Sequence, residues 1–192
     1  MSVIGIVGLP GSGKTYQATA KALFALECGQ EVYANYSIKG CHKFKELEET
    51  FGLKKACIIV DEINIICPSR FWQSFPPEMA YYWSQTRHRG IDIFWTAQHE
   101  DRVDKTVREI TNFIWTCQDY SVRLPRRKGE YEGRVLLSLH AMQLWHPEHI
   151  RKEKKKPIRA QFFRIRKDVR EAYDTYEDIE IAERLKSVKK SA

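Results

Sequence analysis

Two hydrophobic periods alternate along the first 120 residues. Val3-Ile4-Gly5-Ile6-Val7 is an unbroken apolar run, and past a glycine-rich turn Ala18, Ala22, Leu23, Ala25 and Leu26 recur at helical spacing. This predicts a strand over 3–7 and a helix over 15–28, with Gly29 closing the helix in the left-handed conformation that glycine tolerates. A second strand is predicted over 31–34, a loop over 35–43 and a short amphipathic helix over 44–51 stopped by Gly52. Ala56-Cys57-Ile58-Ile59-Val60 has no polar position at all, the pattern of a strand covered on both faces. Pro76-Pro77 suit the start of a helix over 78–86 that carries Met79, Tyr82 and Trp83 on one side. After Gly90 a fourth strand is predicted over 91–96, a helix over 101–111 and a fifth strand over 112–117.

Strands alternating with helices need crossover connections, so the expected fold class is α/β, a three-layer body around a mostly parallel five-stranded core sheet. Beyond Tyr120 the pattern changes to a basic turn at Arg126-Arg127-Lys128-Gly129, a strand over 134–139 and a polar helix over 171–186. No internal repeat is visible. The compositional boundary falls near residue 150, giving one main domain over 1–150 and a small basic C-terminal extension over 151–192.

Composition supports that picture. The 192 residues are 43% hydrophobic, 12% aromatic and 30% charged, which suits one folded domain with a sizeable core and excludes a disordered chain. The net charge of +7 is unevenly spread: residues 1–150 carry 18 basic and 17 acidic side chains, residues 151–192 carry 14 and 8. The excess cation favours a polyanionic partner, nucleic acid or an anionic membrane surface, or serves as a solubilising tail. Five cysteines without a CxxC pair make no disulfide framework; Cys28, Cys57 and Cys117 are expected as buried thiols in a reducing compartment. The N-terminus lacks the basic region and cleavage site of a signal peptide, and no window supplies a membrane span. The expected location is the cytoplasm, with membrane contact only through a partner or the basic tail.

The turn after the first strand carries the chemistry. Gly8-Leu9-Pro10-Gly11-Ser12-Gly13-Lys14-Thr15 satisfies G-x-x-x-x-G-K-[ST] between a strand and a helix. Gly8, Pro10, Gly11, Ser12 and Gly13 would let the backbone curl its amides around a phosphate at a helix N-terminus, Lys14 would reach the β and γ phosphates, and Thr15 would ligate Mg²⁺. ATP and Mg²⁺ are therefore the expected ligands. A carboxylate at the end of a buried strand should complete the metal shell, and Val60-Asp61-Glu62 provides one: Asp61 for the metal, Glu62 one residue on as the base for an attacking water. Gln98 follows the fourth strand, which should lie between the first and third, and is the candidate sensor of the γ phosphate. Arg87, ahead of Arg89, is the candidate arginine finger offered across a subunit interface.

Together these residues resemble the zonular occludens toxin-like family, the P-loop ATPases of filamentous phages that include the gene I assembly protein. The resemblance runs through Ala34-Asn35-Tyr36-Ser37-Ile38-Lys39-Gly40, Ile59-Val60-Asp61-Glu62 and Arg87-His88-Arg89-Gly90-Ile91-Asp92-Ile93 to Thr96-Ala97-Gln98, and continues weakly through Val103 to Arg108, covering about the first 120 residues. It implies a sheet of the additional-strand, catalytic-glutamate type related to the FtsK and HerA motors. It also implies ring assembly and ATP-driven export of phage DNA, single-stranded in the extruding members, with envelope assembly proteins of phage or host as partners at the cytoplasmic face of the inner membrane. The resemblance leaves as an alternative a soluble relative that packages DNA into a capsid.

Other groupings compete less well. Cys41-His42 and His140, His146 and His149 do not complete a tetrahedral metal set. Phe71, Trp72, Phe75, Tyr81, Tyr82 and Trp83 suit a core or subunit contact, with stacking on single-stranded bases as the other reading. Arg123, Arg126, Arg127 and Lys128, and the run Arg151, Lys152, Lys154, Lys155 and Lys156, are candidate DNA tracks or anionic-lipid contacts. A small-molecule kinase would need an acceptor pocket and a lid; a scaffold would bind nucleotide without turnover.

Overall fold

A computed structural model describes residues 1–70, 75–123, 135–137, 139–151, 156–174 and 177. Its strands are β1 (Val3–Val7), β2 (Glu31–Ala34), β3 (His42–Lys43), β4 (Ala56–Val60), β5 (Asp92–Ala97), β6 (Phe113–Asp119), β7 (Val122–Arg123), β8 (Val135–Leu137), β9 (His140–Trp145) and β10 (Arg159–Phe163). The helices are α1 (Lys14–Glu27), α2 (Ile63–Ile66), α3 (Pro77–Ser84), α4 (Thr86–Arg89), α5 (Lys105–Ile110), α6 (Pro147–Arg151) and α7 (Lys167–Arg170).

The main sheet has the order β10-β9-β6-β1-β5-β4-β2-β3. Pairings from β6 through β3 are parallel, while β9 and β10 add on antiparallel beyond β6. All five expected core strands are present, and β5 inserts between β1 and β4. That insertion brings the carboxyl ends of β1, β4 and β5 side by side at one edge, the place where open α/β sheets bind ligands.

Each face of the sheet packs its own core. Ile6, Ile59 and Trp115 meet Ala18, Ala22 and Ala25 of α1, whose small side chains let the helix lie close. Val60, Ile58 and Trp95 on the other face meet Met79, Tyr82 and Trp83 of α3 and Val107 of α5. All five residues of β4 are buried, as its sequence demands. Burying Ile58 and Ile59 alone is worth on the order of 2–3 kcal/mol each. Gly5 is dictated by its neighbour across the ladder: a Cβ there would sit 2.4 Å from the Trp95 ring.

Several expectations change. The helix over 44–51 is a single 3-10 turn at Leu47–Thr50. The helix over 78–86 divides into α3 and α4, and that over 101–111 into a 3-10 turn, Glu100–Arg102, and α5. The second division follows from Asp104, whose carboxylate accepts the Thr106 N–H at 2.7 Å and restarts the helix there. The loop over 35–43 contains β3. Cys28 is exposed, whereas Cys57, Cys67 and Cys117 are buried.

The largest difference lies beyond residue 120. The strand over 134–139 is β8, which pairs with β7 in a small separate sheet, and β9 and β10 add two strands that the hydrophobic pattern does not predict. The sheet therefore crosses the compositional boundary at residue 150, because β10 pairs with β9 from Arg159↔Leu144 to Phe163↔His140. Residues 171–174 of the expected polar helix form a turn and a bridge from Tyr173 to Ile38. The rest of that helix, apart from Glu177, lies outside the described residues. Glu177 accepts hydrogen bonds from the Ser37 N–H and hydroxyl and pairs with Lys43. The described part of the basic extension thus packs back on the body.

Candidate nucleotide-binding site

The loop from Gly8 to Gly13 joins β1 to α1 through backbone that only glycine accepts easily. Gly11 and Gly13 have φ of +77° and +90°, the left-handed region. Gly8 is required by proximity, since a Cβ there would meet the Cys117 carbonyl oxygen at 2.4 Å. Within the loop the Ser12 N–H donates to the Leu9 carbonyl at 3.1 Å, while Leu9, Pro10 and Gly11 are exposed at the tip. Lys14 is buried with its Nζ donating to the Leu9 carbonyl at 3.2 Å. The Ser12 hydroxyl is buried without a hydrogen-bond partner among the described residues. A lysine folded over its own loop and an orphaned hydroxyl inside it are suited to holding an anion.

Opposite stands the end of β4. Thr15 Oγ1 donates to Asp61 Oδ2 at 3.0 Å, with Oδ1 at 3.3 Å. The Thr96 hydroxyl donates to Asp61 Oδ1 at 2.5 Å and accepts the Glu62 N–H at 2.9 Å. Burial pushes the Asp61 carboxyl above the ordinary aspartate value; the Thr96 and Thr15 hydroxyls pull it back, the Glu62 charge raises it and the Lys14 ammonium lowers it. A carboxylate and a hydroxyl oxygen standing 3.0 Å apart are hard oxygen ligands, so Thr15 and Asp61 fit Mg²⁺.

Glu62 follows in the left-handed region, φ +48° and ψ +51°, a conformation that costs a non-glycine residue about 1–2 kcal/mol. Among the described residues its carboxylate accepts no hydrogen bond, and it is half-buried. Gln98, two residues after Thr96, lines a cleft of about 900 Å³ with Gly8, Leu9, Pro10 and Ser12 of the loop and with the end of β6. Its Oε1 accepts from Arg102 Nη1 at 3.3 Å.

Lys14, Thr15, Asp61, Glu62 and Gln98 are thus gathered at one sheet edge. Arg87 is not. It is exposed on α4, before β5 begins, and lines a recess with Met1, Ser2 and Phe113 at the opposite edge. The six residues of β5 separate the two edges by about 20 Å. Arg89 is occupied in place, its guanidinium 4.9 Å over the Tyr82 ring.

Sequence reasoning missed Thr96 and Asn35 as parts of the site. The Asn35 side chain donates to the Asp61 carbonyl at 2.9 Å and accepts the Asp61 N–H at 2.7 Å. Both residues stood in the segments that carry the family resemblance, but only the ladder β2-β4-β5 reveals what they touch.

The weaker groupings resolve in turn. His140 and His146 stand at opposite ends of β9, and among the described residues no group of three His, Cys, Asp or Glu could hold a metal. Phe75, Tyr82 and Trp83 are core, Tyr81 is exposed, and Phe71 and Trp72 lie outside the described residues. Of the two basic runs, Arg126, Arg127, Lys128, Lys152, Lys154 and Lys155 lie outside the described residues, as do the side chains of Arg123 and Arg151. No helix among the described residues is long and apolar enough to cross a membrane.

Comparison with known proteins agrees with this geometry. The family model described as Zonular occludens toxin (Zot) matches residues 39–177, reaching well past the 120 residues that carry the motifs. Among solved structures, the N-terminal domain of zonular occludens toxin from Neisseria meningitidis superposes with a TM-score of 0.58 at 20% identity, over 90% of this chain and 98% of that one. The flagellar accessory protein FlaH from Methanocaldococcus jannaschii gives 0.53 at 13% identity, over 86% and 85%. A genome packaging NTPase from Sulfolobus turreted icosahedral virus 2, in complex with AMPPCP, gives 0.51 at 10% identity, over 85% and 97%. No curated protein matches the chain. These likenesses establish the P-loop NTPase fold.

Proposed function

The chain belongs to the zonular occludens toxin family, and from that premise we propose that it is an ATP-hydrolysing motor of phage assembly that moves DNA during virion extrusion. The observation that carries this reading is the meeting of Thr15 and Asp61 at 3.0 Å beside the buried Lys14, with Glu62 next in the chain. A phosphate loop alone binds nucleotide. An acidic pair facing it adds the means to use water as acceptor.

The residues divide the work as follows. The amides of Gly11 and Gly13, the Ser12 hydroxyl and the start of α1 hold the phosphates, and the Lys14 ammonium follows the charge on the transferred group. Thr15 and Asp61 would hold Mg²⁺, which when bound neutralises charge on the phosphate oxygens. Glu62, whose carboxylate accepts no hydrogen bond among the described residues, takes the proton of the attacking water, giving ADP and inorganic phosphate. Gln98 registers the loss of the terminal phosphate from the cleft. Arg87 lies at the far edge of its own sheet, so its part in phosphoryl transfer requires a neighbouring copy, and this supports a ring. The host cytoplasm, against the inner face of the membrane, is the setting this work requires.

Replacing Lys14 with Ala should abolish release of inorganic phosphate while leaving the fold intact, and retained turnover in that variant would refute the assignment. Stimulation by single-stranded DNA supports extrusion, whereas stimulation by duplex DNA alone supports packaging into a capsid. Phosphate released without any added acceptor excludes a kinase, and tight ATP binding without turnover in the presence of DNA would indicate a scaffold.

A further inference from the structure

Among the described residues the outer edge of the main sheet is β10, which pairs only with β9 and has its other side open. Its sequence, Arg159-Ala160-Gln161-Phe162-Phe163, continues into Arg164 and Ile165. Arg159 and Arg164 are exposed and make no ion pair among the described residues, in contrast to Arg166, which pairs with Asp168. Phe162 between them is 69% exposed, the most exposed large apolar side chain described. The cation of Lys21 on α1 stands close enough to Arg159 to feel its charge: burial first, and then the guanidinium, hold the lysine below its ordinary value. Uncompensated like charges beside one another form a surface that a polyanion stabilises.

This edge is wired to the phosphate loop. The Phe163 ring stacks on Tyr16 at 5.7 Å with 2° between the planes, and on His140 at 5.3 Å. A Cβ on Gly13 would lie 3.3 Å from the Phe163 ring, so that ring sits against the loop's last glycine. Tyr16, next to Thr15, accepts the Arg166 N–H at 3.0 Å and donates to the Arg164 carbonyl at 3.4 Å. Backbone on either side of Ile165 is therefore fixed to the first turn of the nucleotide-binding helix.

We propose that this edge, with Lys21, Arg159 and Arg164 on the phosphates and Phe162 under a base, is where single-stranded DNA lies against the protein, and that Tyr16 and Phe163 couple its occupancy to the phosphate loop. The assignment rests on the motor reading for its choice of nucleic acid. Arg159 shares the α1 face of β10 with Phe163, and Phe162 stands on the other face, so the strand crosses the open edge between them. Such a crossing suits an unpaired strand, whose bases are free to stack; a duplex hides them and a lipid surface offers none.

The test measures binding of a fluorescent oligothymidine to the full chain over a salt series, with duplex of equal length and phosphatidylglycerol vesicles as the other ligands. Arg159→Gln combined with Arg164→Gln should weaken oligothymidine binding at least tenfold at about 0.1 M salt and flatten the slope of log K against log salt by about 1.4. Phe162→Ala should weaken the single strand several-fold and leave duplex binding unchanged. An ATP analogue that resists hydrolysis should change oligothymidine affinity in the wild-type chain and not in Tyr16→Phe, since coupling between two ligands is reciprocal. Unaltered oligothymidine binding in the double variant, or loss confined to vesicles or duplex, overturns the site. Identical affinity with and without the analogue overturns the coupling. If the wild-type chain releases no phosphate with any DNA while the double variant still loses the oligothymidine, the motor reading fails and this site stands. Turnover without DNA should be unchanged in Arg159→Gln, which touches no nucleotide-facing group.

Discussion

Asn35 and Asp61 hold one another through two hydrogen bonds, the asparagine amide closing on both the N–H and the carbonyl of the aspartate at 2.7 and 2.9 Å. The asparagine stands just past β2, the strand next to β4, and from there fixes the backbone that presents the Asp61 carboxylate to Thr15. Removing it leaves two buried backbone groups without partners. Asn35→Ala should cost about 1–3 kcal/mol in denaturant unfolding and lower kcat more than it raises KM for ATP. Asn35→Asp should be worse, since it replaces a donor with a second buried charge beside Asp61. Wild-type stability in either variant would mean that the clamp is idle.

Glu62 offers a separation of stability from activity. Its backbone is in the left-handed region, held there by the Glu62 N–H bond to the Thr96 hydroxyl, so the conformation is kept at a cost. Glu62→Gln should leave nucleotide affinity near wild type and reduce turnover by about 10²–10⁴. Glu62→Gly should be equally inactive yet more stable by about 1 kcal/mol, because glycine adopts this backbone freely. A destabilised glycine variant would show that the strain is absent.

The parallel core was legible because each of its strands is a short apolar run bounded by turn residues, most clearly Ala56–Val60. β9 and β10 were not, since His140-Ala-Met-Gln-Leu-Trp and Arg159-Ala-Gln-Phe-Phe mix polar and apolar positions as strands near a solvated edge do. The surplus of lysine and arginine beyond residue 150 further disguised a sheet strand as a tail. In the site, Lys14, Thr15, Asp61 and Glu62 could be read from local spacing alone. Asn35 and Thr96 could not, because they are 26 and 35 residues from Asp61 and meet it only through strand pairing.

The five thiols should divide sharply by burial. Cys28 at the end of α1 is exposed, whereas burial pushes Cys41 up to about 11, Cys117 up to about 12 and Cys57 higher still. Only about one Cys41 side chain in a thousand is thiolate at pH 8. A thiol reagent at that pH should label Cys28 rapidly and Cys41 slowly, with the Cys41 rate rising about tenfold per pH unit up to its pKa. Cys57, Cys67 and Cys117 should react only on unfolding, and rapid labelling of any of them in the native chain would contradict the described core.

Arg87 supplies the sharpest test of assembly. It is exposed at the sheet edge opposite the loop, so within one copy it cannot reach the loop that carries Lys14. A finger donated across an interface contributes about 10³–10⁵ in rate where it acts. Lys14→Ala and Arg87→Ala chains should each be nearly inactive alone. Mixed in equal amounts, roughly one interface in four pairs an intact loop from the Arg87→Ala copy with an intact arginine from the Lys14→Ala copy, restoring about a quarter of the wild-type rate. The same mixture should stay inactive under dilution that dissociates the oligomer. Full turnover by Arg87→Ala alone would remove this arginine from the reaction, and a mixture with no recovery would confine each loop's chemistry to its own chain.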